Sequence, residues 1–200
     1  MKQQASQISL IRIGTVVAFA ALLASCGSPE DRAQGYYESG MALIAKKDDL
    51  EARKELLKAV KYKSDKVEVW RALAGIDERT RAKSLFLDLR RIVELDPSDL
   101  DARLRLARLM AAGGGAEAAL RVLDAAKLGD KPNAEFHAVR SIALLRTNDS
   151  AGALREAQRA FEIDPTNGDA ISLLASKKAT DGDLDGALKL LDTIPAGSGV

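Results

Sequence analysis

The side chains best placed by type and spacing to do chemistry are the carboxylates of Asp181, Asp183, Asp185 and Asp192. Asp181-Gly182-Asp183-Leu184-Asp185-Gly186 has the alternating acids and sixth-position Gly of a calcium-binding loop, and Asp192 stands at the twelfth position, where a carboxylate closes the shell. Two features oppose a calcium site. Lys189 occupies the ninth position, where a ligand or its water belongs. Ala187 also keeps a thirty-four-residue register with Ala119 and Ala153, so a helix should already run where the loop must stay open. No metal is expected.

A nucleophile and base would have to come from Cys26 and His137, the one cysteine and the one histidine of the chain. A single cysteine makes neither an intramolecular disulfide nor a zinc site. His137 falls at a position held by Tyr36 and Trp70 in other segments of the same period, which reads as packing. Asn148-Asp149-Ser150 matches a glycosylation sequon but reads better as a helix start. Gly113-Gly114-Gly115 follows no strand pattern, so it is a turn and not a phosphate cradle. No catalytic residue, cofactor or small-molecule substrate is expected.

The formal net charge is +1, and it falls to −1 once Lys2 and Arg12 are removed with the N-terminal segment. That balance lacks the basic excess of a nucleic-acid binder, and none is expected as a partner. Residues 1–25 read as an export signal: Lys2 and Arg12, an apolar run from Ile13 to Leu23, then small residues. The run is shorter than the roughly 20 apolar residues needed to span hydrocarbon. The Leu23-Ala24-Ser25-Cys26 tetrad resembles the bacterial lipobox. That resemblance implies that Cys26 becomes the first mature residue and carries a diacylglyceryl thioether, usually with a further acyl chain, enough for stable anchoring. Gly27 in place of Asp implies an outer-membrane destination, facing the periplasm. Residues 26–32 form a lipidated cysteine and short linker; Gly27 to Asp31 extend to only about 17 Å.

The elements that must position everything else come from the period. Ala119, Ala153 and Ala187 are thirty-four residues apart, and Pro97 and Pro165 twice that. Aromatic residues make up 4% and few segments alternate with period two, so helices are expected over strands. Five segments result: 33–66, 67–99, 100–133, 134–167 and 168–200. In the first, Gly40 and Ala52 are the small residues that let two helices approach, while Tyr36, Leu43 and Leu56 fill the space between units. The second is one residue short, has Leu85 where Ala is expected, and lacks Gly, Pro or Asn from Asp77 to Arg81; Thr80 is its best candidate cap. Asp96-Pro97 and Asp164-Pro165 should end helices, with Ser98 or Asp99, and Thr166 or Asn167, opening the next.

This pattern resembles the tetratricopeptide repeat, which implies an all-α, right-handed superhelical solenoid of about five helix-turn-helix repeats over residues 33–200. By the same resemblance, a concave face takes protein or peptide partners through Tyr37, Met41, Ile44, Arg71, Glu78, Arg79, Leu104, Arg108, Ile142, Leu145, Arg146, Ser172 and Ser176. The Lys/Asn carboxylate clamp of chaperone-binding relatives is missing. Apolar residues mixed with Arg suit an extended or helical partner with acidic groups. No polar capping helix follows Leu191, as expected of a piece of a longer array unless something else covers Leu188 and Leu191. Cys26-Gly27-Ser28-Pro29-Glu30 and the Gly40/Ala52 pair resemble the repeat lipoproteins of exosortase and exopolysaccharide systems. The expected function is a membrane-anchored adaptor in envelope or exopolysaccharide assembly. An accessory subunit of a pilus or secretion apparatus is the alternative.

Overall fold

A computed structural model describes residues 27–126 and 132–195, which are helical and contain no strand. Ten helices follow in order among the described residues: α1 Pro29–Ala45, α2 Asp49–Tyr62, α3 Val67–Arg79, α4 Leu85–Leu95 and α5 Leu100–Ala112, then α6 Ala116–Asp124, α7 Ala134–Arg146, α8 Ser150–Ile163, α9 Gly168–Thr180 and α10 Leu184–Leu191. None of them is long and apolar enough to cross a membrane. The expected all-α class of stacked helix pairs is what the chain adopts.

Local chemistry starts most of these helices. Ser28 and Asp31 form a reciprocal capping box before Pro29, in which Ser28 Oγ accepts from the Asp31 amide and the Ser28 amide donates to the Asp31 carboxylate. Asp48, Asp99, Asn133, Asp149, Asn167 and Asp183 each accept an amide of the helix they open, a contribution of about 1 kcal/mol apiece. At the two proline joints the division of labour is sharper than the sequence implied. Asp99 and Asn167 do the capping. Ser98 and Thr166 turn back onto the preceding acids, Asp96 and Asp164, with hydroxyl bonds of 2.6 Å each. These bonds hold the Asp164 carboxyl below the ordinary Asp range.

Left-handed backbone recurs inside the helix pairs. Lys47, Arg81, Gly114, Asn148 and Gly182 have φ of 61°, 53°, 89°, 64° and 90°. An αα turn of this length needs one such residue, and Gly or Asn supplies it at least cost. Lys47 and Arg81 do it with ordinary side chains. Thr80 therefore ends α3 instead of capping α4.

The chain divides between Ile76 and Asp77 into two compact units. In the first, Ala52, Leu56 and Ala59 of α2 and Val69, Leu73 and Ile76 of α3 form a fully buried core, with Tyr36, Leu43 and Trp70 packed against it. Gly40 sets the closeness of α1 to α2: a Cβ there would sit 2.8 Å from Leu56 Cγ. In the second unit Leu104, Ala107, Ala119, Leu123, Phe136, Val139 and Ala143 form one core, and Ala138, Ala160 and Ala170 another. Ala153 has no exposed surface, as its place in the period requires. Arg103 is buried without a carboxylate and donates to Pro97 O at 2.7 Å and Val122 O at 2.9 Å, tying the joint before α5 to the end of α6.

Candidate partner-binding face

Each unit presents first-helix side chains of its pairs. In the first, Tyr37, Met41 and Ile44 lie at four- and three-residue spacing along α1, one helical stripe. Tyr37 and Ile44 lean on the core, while Met41 is 40% exposed. Arg71 on α3 is exposed.

In the second unit the sequence positions resolve into three groups. Leu104 belongs to the core, not to an open face, because α6 and α7 close over it. Ile142 packs on the same core. Leu145 (43% exposed) and Arg146 are open at the end of α7, and Leu109, 37% exposed on α5, joins them as an apolar residue the offset rule passed over. Arg79 is exposed at the end of α3. Ser172 is half-buried, its hydroxyl donating back to Gly168 O of its own helix at 2.7 Å, while Ser176 is exposed on α9.

Arg108 differs most from expectation. It donates to Glu135 at 2.5 Å and Asp169 at 2.6 Å, so one guanidinium on α5 clasps the first turns of α7 and α9. Burial pulls its pKa down, but the bonds from Asp169 and Glu135 outweigh that and the net direction is up. The cation is committed to a bridge between repeats and is not offered whole to an acidic partner. Glu78 is likewise taken by Arg105, at 2.8 Å.

His137 sits half-buried with Nδ1 2.7 Å from Glu156, its ring edge-on to Phe136 at 5.5 Å. Arg140, which stands where the repeat pattern wants Leu, meets Asp124 at 2.5 Å and Glu156 at 3.5 Å. These contacts link α6, α7 and α8 and make a clasp of His137. Cys26, its supposed partner in chemistry and the proposed lipidation site, lies outside the described residues, as do residues 1–25.

The acidic loop is closed to calcium by its own helix. Asp183 caps α10, accepting from the Gly186 amide at 2.9 Å, and pairs with Lys178. Lys178 first, and then that amide, hold its carboxyl below the usual range. Asp181 is paired with Lys177. Asp185 through Leu191 are already helical. Among the described residues no three His, Cys, Asp or Glu side chains are placed to hold a metal.

The fold has relatives. Residues 87–142 match the tetratricopeptide-repeat family model. No curated protein matches the chain. Among solved structures, MamA from Desulfovibrio magneticus RS-1 (residue 41 to the end) is similar with a TM-score of 0.67 at 15% identity, covering 81% of this chain and 92% of its own. YrrB, described as a repeat protein of this type with an unusual peptide-binding site, gives 0.62 at 18%, covering 79% and 82%. PilW, described as a widely conserved type IV pilus biogenesis factor, gives 0.61 at 14%, covering 80% and 75%. The chain thus has the fold of tetratricopeptide-repeat proteins, and the repeat family's own model rests on residues 87–142.

Proposed function

We propose that this protein is an adaptor lipoprotein of the bacterial envelope, tethered by lipid on Cys26 and facing the periplasm, which holds protein or peptide partners during envelope or exopolysaccharide assembly. The observation that carries the binding half is the pair of exposed apolar residues Leu109 and Leu145, on α5 and α7, the first helices of neighbouring pairs in the second unit; in the first unit Met41 is exposed on α1. A lone exposed apolar residue means little, but two on the packed first helices of one unit are what a partner segment can cover. The peptide-binding site of the structurally similar YrrB supports the same reading. The anchoring half rests on the Leu23-Ala24-Ser25-Cys26 tetrad and on α1 starting at Pro29, about 10 Å of chain beyond Cys26. An outer-membrane address is favoured by Gly27.

Cys26→Ala should leave helical content unchanged and move the protein out of the membrane fraction; unchanged fractionation would sink the anchor. Met41→Glu with Leu145→Glu should abolish partner recovery from crosslinked envelopes while fractionation stays as before; full recovery would sink the adaptor reading. The pilus biogenesis factor among the structural neighbours favours a second setting, an accessory subunit of a pilus or secretion apparatus. Pilus or secretion components in the same crosslinked material would select it.

A further inference from the structure

We propose that the hollow beside residues 80–84 is a docking site for an acidic peptide segment, which buries one bulky apolar side chain there. The hollow has a local cause. In the other four turns the left-handed residue is followed by Asp48, Gly115, Asp149 or Asp183, and the second helix begins at the very next residue. After Arg81 comes Ala82, which has no side-chain acceptor, and α4 starts only at Leu85. Ser84 does not cap it; its hydroxyl bonds to the buried carboxylate of Asp77 instead.

The delayed start leaves a space of about 410 Å³ between the turn, the head of α4 and the end of α5. That is within the range of clefts that hold small ligands, about 300–1,000 Å³. Leu85, Phe86 and Leu109 line it with apolar surface, and Arg81, Lys83 and Glu78 stand around them. Glu78 is neutralised by Arg105. Arg81 and Lys83 are exposed, and their side-chain cations form no ion pair among the described residues. An apolar floor beside two unmatched cations complements an apolar anchor flanked by carboxylates. The proposal rests on the adaptor reading for there being a partner; it centres on residues 80–86 and shares Leu109, but not Met41 or Leu145, with the first-helix faces.

The test titrates the full chain into a fluorescein-labelled peptide, acetyl-Glu-Asp-Phe-Asp-Glu amide, and follows anisotropy. Saturable binding is expected, weakened at least fivefold by Arg81→Gly and by Leu109→Glu, and unchanged by Leu145→Glu. Arg81→Gly also relieves a left-handed side chain, so its thermal midpoint should hold or rise, which separates lost binding from lost folding. A peptide with Lys for each acid, or Ala for Phe, should bind at least fivefold more weakly. Absent binding, equal binding of the Lys peptide, or insensitivity to both hollow variants overturns the proposal. Loss through Leu145→Glu alone overturns it too, while leaving the adaptor reading standing.

Discussion

The turn from α7 to α8 and the turn from α3 to α4 occupy the same place in their repeats, yet only the first is capped. At residues 147–149, Asn148 takes the left-handed conformation and Asp149 accepts the Gly152 amide at 2.8 Å, so α8 begins at once. At residues 80–84, Arg81 takes that conformation, Ala82 caps nothing, and the local polar bonds run inward to Asp77, from Ser84 Oγ and from the Ala82 amide to Asp77 O at 2.7 Å. One missing acceptor delays a helix and opens a hollow. The lesson is that a repeat tolerates loss of a cap where other local bonds hold the turn, here Ser84 Oγ to the buried Asp77 carboxylate and the Ala82 amide to Asp77 O, and the resulting irregularity is the more distinctive surface.

Packing should break the comparison hardest. Ala153→Phe, in the tightly paired α8, should cost about 3 kcal/mol in urea unfolding. Ala82→Leu, which enlarges a partly exposed residue facing the hollow, should stay within about 0.5 kcal/mol. Next, Ser84→Ala removes a donor from buried Asp77 and should cost about 2 kcal/mol, twice an ordinary cap. Asp149→Ala should cost about 1 kcal/mol by the same measurement. If the two losses are equal, the inward bonding at residues 80–84 carries no more than an ordinary cap. Smaller still, Arg81→Gly should stabilise by about 0.5–1 kcal/mol while Asn148→Gly changes little, because Asn already tolerates left-handed backbone.

The smallest effect is in acid. The Asp183 carboxyl is held below the ordinary Asp value of 3.8 by Lys178 and the Gly186 amide. Its cap is therefore complete above that value and lost as pH falls through the lowered one. Amide protection at Gly186 should outlast pH 3.8, and loss of protection above it would contradict the assignment.

These differences also mark where the sequence could be read. Helix pairing and the caps at Asp99 and Asn167 were legible, because small-residue spacing and Asx side chains act within a few residues. The conformation of Arg81 was not, since Arg announces no left-handed turn. Nor was the clasp of Arg108 on Glu135 and Asp169, because the partner of a long side chain is set by stacking, sixty-one residues away in one case. Leu104 failed for a related reason: an offset assigns a helix face, but the neighbouring helices decide whether that face is open. Arg103 has no sequence signal at all, as its partners are backbone carbonyls.

The most direct test of the central claim, that this stack of helix pairs works by binding along its first helices, is photocrosslinking in living cells. A benzoylphenylalanine in place of Leu145 should give a discrete adduct with a partner protein. The same label in place of Leu50 on α2, which is 69% exposed, should give none. Adducts from Leu50 alone, or none from Leu145, would contradict the account.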